Sequence, residues 1–143
     1  MPLLDQKKAL VLGVANDHSI AWAIAQALQR EGAELAFTYA GEAIEKRVRP
    51  LARSLGVDLV LSCDVTNDDE IAAAFETLRA RWGRVDIVIH AVAFALREAL
   101  KGRFLHTSRA GFQLALDVSA YSLIAIARSA EPLMPAGGSL LTL

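Results

Sequence analysis

Three short stretches hold the residues with chemical potential. The first is GVANDHSIA, Gly13 to Ala21, behind the apolar run KKALVL. Glycine at a strand exit permits a sharp turn and close backbone approach. Serine at a helix start, here Ser19, can cap the helix or donate its hydroxyl to a phosphate. The Ile20 N–H is one of the donors a helix start leaves free. This set suits a pyrophosphate. The three-glycine dinucleotide fingerprint is absent, so the loop alone fits a ligand-free, serine-capped turn equally well. The second stretch is CDVTND, Cys63 to Asp68. Asp64 offers a carboxylate and Val65 a backbone N–H, yet Asp, Thr and Asn also favour plain turns. The third is HAVAFA, His90 to Ala95. Its small residues allow a ligand to approach closely, and they equally suit a buried strand end.

Other chemistries find little support. No Ser/His/Asp or Cys/His constellation suggests itself. Cys63 is the single cysteine; it forms no internal disulfide framework, has no ligand partners spaced for a metal, and reads as a buried apolar residue. His18 reads as an exposed loop residue, His90 as a satisfied buried histidine, and His106 has no visible partner. Trp22 and Trp82 read as packing residues rather than stacking platforms. Tyr39 and Lys46 have a catalytic-looking spacing, but they follow the second strand; they read as a strand-end side chain and a surface helix residue.

These stretches need elements to position them. Ala9–Leu12 is a short apolar strand and Ile20–Arg30 a helix with apolar residues at 20, 23, 24, 27 and 28. Strands follow at Glu34–Tyr39, Val57–Leu61, Val85–Ile89 and Ser139–Leu143. Helices fill the intervals at Glu42–Leu55, Glu70–Trp82 and Ala110–Glu131. Pro50 sits where it can kink the second helix, and Thr66, Asn67 or Asp68 can cap the third. Arg97–Ser108 is polar and irregular. Alternation of strand and helix predicts an α/β fold, a Rossmann-type doubly wound parallel sheet, over a single dinucleotide-binding domain spanning residues 1–143. Right-handed crossovers gather the tips after strands one, three and four at one edge.

Bulk properties narrow the partners. The chain has 143 residues, 54% of them hydrophobic, and a net charge of −1. Scattered basic residues argue against a nucleic-acid surface. No apolar run reads as a membrane span, no signal peptide opens the chain, and a cytoplasmic location fits.

In order, GVANDHSIA, REGAELAFTY, CDVTND, HAVAFA, LDVSAYSL and SLLTL resemble the bacterial enoyl-acyl-carrier-protein reductases, within the short-chain dehydrogenase/reductase superfamily. The resemblance covers essentially the whole chain. It implies NADH-dependent reduction of trans-2-enoyl thioesters of acyl carrier protein in fatty acid synthesis, by a homotetramer. By resemblance, Gly13, Ala15, Ser19 and Ile20 contact the pyrophosphate and nicotinamide side, and Asp64 and Val65 clamp the adenine. Ala91, Val92 and Ala93 line the riboses, and Ala95 faces the acyl thioester. Two positions depart from the pattern: Ala93 stands where the family usually has glycine, and Ala40, beside the adenosine ribose, where it often has an amide. No acidic residue ends the second strand, Glu42 being the nearest; NADH is implied by resemblance alone, and Lys46 and Arg47 stand as alternative partners of a 2′-phosphate. The family's catalytic tyrosine, with a lysine about two helical turns further on, follows the strand ending at Leu143. No catalytic residue is therefore expected among these 143, and the chain alone is expected to be inactive. A non-catalytic nucleotide-binding fragment and another member of the superfamily are the alternatives.

Overall fold

A computed structural model describes residues 1–143. Five parallel strands form one sheet: β1 (Lys8–Leu12), β2 (Glu34–Tyr39), β3 (Leu59–Ser62), β4 (Ile87–His90) and β5 (Ser139–Thr142), in the order β3-β2-β1-β4-β5. The chain winds outward from β1 to β3, then crosses back to place β4 on the other side of β1. The point of reversal lies between β1 and β4, where the crevice of such sheets opens.

Side-chain alternation explains why both faces are covered. Ala9 and Val11 point to one face, with Leu35 and Phe37, against α1 (Ile20–Arg30) and α2 (Glu42–Ser54). Leu10 and Leu12 point to the other, with Ala36 and Val88, against α3 (Asp68–Trp82) and α5 (Ser122–Ala130). Strands buried on both sides read as continuous apolar runs rather than alternating ones. Trp22 packs edge-on to Phe37, centroids 6.4 Å apart at 70°. Trp82 lies half-buried, donates to Glu34 at 2.7 Å and sits beneath the Lys8 ammonium. Both tryptophans are packing residues, as expected.

Several boundaries move. β3 and β4 begin two residues later than the apolar runs suggest, because Val57 and Val85 are buried without entering the ladder. The Val57 N–H donates to Ala52 O at the end of α2, and the Val85 N–H to Leu133 O. Pro50 does not interrupt α2. The irregular stretch contains two short 3₁₀ turns, Arg97–Leu100 and Phe104–His106. The long apolar helix is composite. α4 (Arg109–Leu116) runs through a π-helical turn, Asp117–Tyr121, into α5 and then a 3₁₀ turn, Glu131–Leu133. This helical stretch, Arg109–Leu133, has a window of mean hydropathy 1.4 and is long and apolar enough to cross a membrane by length and composition. That corrects the expectation that no such segment exists. Its inner stripe, Ala125, Ile126, Ala130 and Leu133, belongs to the core under the sheet, while Phe112, Leu116, Tyr121 and Ile124 are exposed, as are Leu140, Leu141 and Leu143.

Of the three cap candidates for α3, Asn67 is the one used. Its Oδ1 accepts from the Asp69 and Glu70 N–H groups at 3.0 and 3.3 Å. Asn67→Ala is expected to cost about 1 kcal/mol, the usual worth of an N-cap side chain, read as a lower urea midpoint with an unchanged slope.

Candidate functional site

The ends of β1, β2, β3 and β4 meet around one pocket of about 530 Å³, within the ~300–1,000 Å³ range of small-molecule and cofactor sites. Gly13 leaves β1 with φ +109°, and a Cβ there would lie 2.0 Å from the Ala91 carbonyl oxygen. Both the conformation and the contact demand glycine. Next door, the Ala91 N–H donates to Leu12 O at 3.0 Å, so the exits of β1 and β4 are locked together.

The loop after Gly13 folds around Ser19. Its Oγ accepts from the Ala15 N–H at 3.0 Å and the Asn16 N–H at 3.1 Å. Asn16 in turn accepts from the His18 N–H at 2.8 Å. Ser19 occupies the N-cap position of α1 but makes no side-chain cap, which corrects the capping expectation. Its oxygen is turned back onto the loop, and the Ile20 and Ala21 N–H groups have no acceptor within the chain. These are donors at a positive helix end, suited to an anion. His18 is exposed, 3.6 Å from Asp17, as the sequence suggested.

At the β3 tip, Asp64 is both turn residue and pocket wall. Oδ1 accepts from the Thr66 N–H at 2.9 Å and its hydroxyl at 2.7 Å, while the Asp64 N–H donates to Glu70 at 2.7 Å. Oδ2 takes no bond within the chain, and neither does the Val65 N–H. The pair offers one acceptor and one donor to a ring bearing an amine next to a ring nitrogen.

Eight of the eleven sequence-derived site residues line this pocket: Gly13, Ala15, Ala40, Asp64, Val65, Ala91, Val92 and Ala93. Ser19 and Ile20 stand outside its wall and bear on it through the loop and the helix end. Ala95 lines a separate open groove of about 440 Å³ with Phe94, Leu100, Phe112, Leu116 and Ser119. Phe94 and Ala93 border both cavities. Residues not singled out from sequence include Thr38, Tyr39, Ile44, Leu114 and Val118. Tyr39 is more than a strand end: it walls the pocket, backed by Arg49 at 5.6 Å from its ring. Its position at the end of β2 was the available signal. Leu114 and Val118 are four apart on one helix face, which was the signal for them. Lys46 is tied to Glu42 at 2.9 Å, and the hydrogen bond from Arg49 holds the Glu45 carboxyl below its ordinary range. Burial first, then Glu70 and Asp64, push the Cys63 thiol up to about 12. It stays protonated and contributes no nucleophile.

The lining fits an elongated ligand with an anionic middle. Small residues crowd the β1–β4 exit, free N–H groups stand at α1, and an acceptor–donor pair stands at the β3 tip.

His90 ends β4 fully buried. Nδ1 is 2.9 Å from Thr142 Oγ1 and Nε2 is 2.7 Å from Ser122 Oγ. It is a satisfied buried histidine, as expected, and burial holds its pKa below 6.5, against a smaller opposing contribution from its own backbone.

Comparison with known proteins follows the same pattern. The family model described as enoyl-(acyl carrier protein) reductase matches residues 13–143. Enoyl-(acyl-carrier-protein) reductase (NADH) FabI of Bacillus cereus is 53% identical over 145 residues, covering all of this chain and 57% of that protein. The Aquifex aeolicus protein of the same name is 49% identical over 144 residues, with 53% of its length covered. The chain thus spans about half the length of the curated relatives it matches. A crystal structure of the Bacillus cereus reductase with NADP+ and indole naphthyridinone superposes with a TM-score of 0.95 at 53% identity, over 99% of this chain and 56% of that one. The Anaplasma phagocytophilum reductase in complex with NAD gives 0.93 at 48% identity, over 97% and 53%.

Two outcomes follow from this geometry. Gly13→Ala is expected to destabilise the fold by about 1–3 kcal/mol or more, the scale of a forced backbone conformation, seen as a lowered thermal midpoint. Because His90 protonates more readily when unfolded, stability is full above about pH 6.5 and declines as pH falls below it. Urea midpoints at pH 7.5, 6.5 and 5.5 read this slope, which His90→Gln is expected to reduce.

Proposed function

The chain belongs to the enoyl-(acyl carrier protein) reductase family, and on that premise we propose that it forms the cofactor-binding part of an NADH-dependent reductase of trans-2-enoyl thioesters in fatty acid synthesis. The observation that carries this is the convergence of four strand tips on a single pocket at the sheet's point of reversal. Residues 1–143 constitute its Rossmann-type dinucleotide-binding domain.

The pocket residues divide the cofactor among them. Gly13 and Ala15 let the backbone approach the pyrophosphate, and the unpartnered N–H groups of Ile20 and its neighbour donate to it. Asp64 accepts from the adenine amine while the Val65 N–H donates to the ring. Ala40, beside β2, and Ala91, Val92 and Ala93, at β4, border the riboses with small side chains and backbone. When bound, the reduced nicotinamide supplies hydride to the enoyl β-carbon. Ala95 and the groove beside it take the acyl thioester, and Phe94 and Ala93 separate this groove from the cofactor. NADH rather than NADPH is favoured by the printed names of the relatives. Of the two candidate partners of a 2′-phosphate, Lys46 is paired with Glu42, while Arg47 is exposed on α2 with no ion pair.

No residue among the 143 is assigned the proton-donor role. Tyr39 lies at the adenosine end, and Tyr121 belongs to the long helix with its ring exposed. A homotetramer is supported by the apolar outer face of the helix, Phe112, Leu116, Tyr121 and Ile124. Acyl carrier protein presents the substrate, and the enzyme is cytoplasmic.

The test uses the full polypeptide. NADH is expected to bind with a fluorescence change, and crotonyl thioester is expected to drive its oxidation. Asp64→Ala is expected to weaken NADH about tenfold, the fold-change of one lost hydrogen bond. No turnover is expected from the 143 residues alone. A full chain that binds neither NADH nor NADPH defeats the reading.

A further inference from the structure

His90 sits where three elements meet. It ends β4, its register partner in β5 is Thr142, and Ser122 opens α5 directly beneath it. His90 and Ser122 are both fully buried. Their hydrogen bonds run in one direction only. Ser122 Oγ donates its single proton to Val118 O at 2.6 Å. It therefore accepts from His90 Nε2–H at 2.7 Å. Nδ1, left as an acceptor, takes the Thr142 hydroxyl proton at 2.9 Å. The relay Thr142, His90, Ser122, Val118 has one protonation pattern, and no polar atom in it is unsatisfied.

The relay ends inside an unusual piece of helix. Residues 117–121 form a π-helical turn, a geometry that is rare and tends to occur at functional sites. Inside that turn, Val118 walls the large pocket. Its neighbour Ser119 reaches the other way: Oγ accepts from the Phe94 N–H at 3.1 Å and lies 3.4 Å from Phe94 O as donor. Phe94 is the residue that borders both cavities, and it lies in a segment without regular structure. Ser119 is its only hydrogen-bonded hold on the body of the protein.

We infer that His90 is a positioning residue: through Ser122 it holds the π-helical turn that sets Ser119 against Phe94, and so fixes the wall between the dinucleotide pocket and the acyl groove. A straight α-helical turn shifts every later side chain by about 100° around the axis. Because α5 is anchored in the core, the rotation falls on the turn instead, and Ser119 and Val118 no longer face Phe94 and the pocket together. The importance of the wall for the reaction rests on the functional reading above; its dependence on His90 does not.

The test compares His90→Leu, Ser119→Ala, Ser122→Ala, the Ser119/Ser122 double variant and Thr142→Val in the full chain. Amide hydrogen exchange of residues 91–96 is measured without ligand, NADH affinity by fluorescence, and thermal midpoint alongside. His90→Leu, Ser122→Ala and Ser119→Ala are each expected to speed exchange at the Phe94 amide about tenfold, the fold-change of one net hydrogen bond, and to weaken NADH binding. The double variant is expected to match Ser119→Ala, because both act on one contact. Thr142→Val, which leaves the downstream relay in place, is expected to lower the thermal midpoint with exchange at Phe94 as in the parent. Equal acceleration by Thr142→Val, additive effects in the double variant, or unchanged exchange in either His90→Leu or Ser122→Ala overturns the inference. A parent chain that fails to bind NADH overturns the functional reading instead, and the exchange comparison still decides the role of His90.

Discussion

The approach of Gly13 to the Ala91 carbonyl is the constraint on which the site depends. At 2.0 Å from that oxygen no Cβ can exist, so two strand exits share the space that one side chain would need. This contact sits between β1 and β4, where the winding of the sheet reverses. On either side of the reversal the connections run to opposite faces, and a crevice opens above the strand ends. Close packing of the two exits makes the floor of that crevice backbone rather than side chain. A backbone floor is what an elongated, many-oxygened ligand requires, because N–H and C=O groups meet it at a short and fixed distance.

A single glycine suffices here because a serine does the remaining folding. In the multi-glycine loop, each glycine relieves a clash where backbone meets phosphate or helix meets strand. Here the loop is longer, and Ser19 Oγ gathers the Ala15 and Asn16 amides inward. The same orientation denies α1 its side-chain cap. Leaving donors uncapped costs some helix stability, and the cost falls where an anion can offset it. Local rules for helices and a requirement for binding point in opposite directions at this residue, which is where functional sites tend to break such rules.

Periodicity made the sheet legible and could not make the helix legible. Apolar runs of β1, β2 and β4, helical spacing from Ile20 and glycine stops after the helices gave order and fold class, since these reflect burial on two faces. Strand starts were misplaced at Val57 and Val85 because burial, the signal read, extends past the ladder, which depends on backbone pairing. Asp64, Val65 and Ala91 to Ala93 were legible as strand tips. Tyr39 was set aside because an aromatic at a strand end looks like packing, whereas it walls the pocket with Arg49 of α2 over its ring. The π-helical turn left no trace in the pattern: one extra residue in a long apolar helix changes phase by less than the width of its apolar stripe.

That hidden turn matters for how the two cavities stay distinct. The larger pocket is bounded mainly by strand ends, which the ladder fixes. The open groove beside it is bounded by Phe94, Leu100, Phe112 and Leu116, which lie on a loop, a 3₁₀ turn and a surface helix with few cross-links to the sheet. A loop wall drifts unless tied to something rigid. By the inference drawn above, the buried pair His90 and Ser122 links the end of a sheet strand to the turn that grips Phe94. Rigidity of the sheet is thereby carried across the helix into the segment that borders both cavities. A buried polar pair with its partners satisfied is costly to rearrange, so on that inference the wall between the two cavities keeps one position.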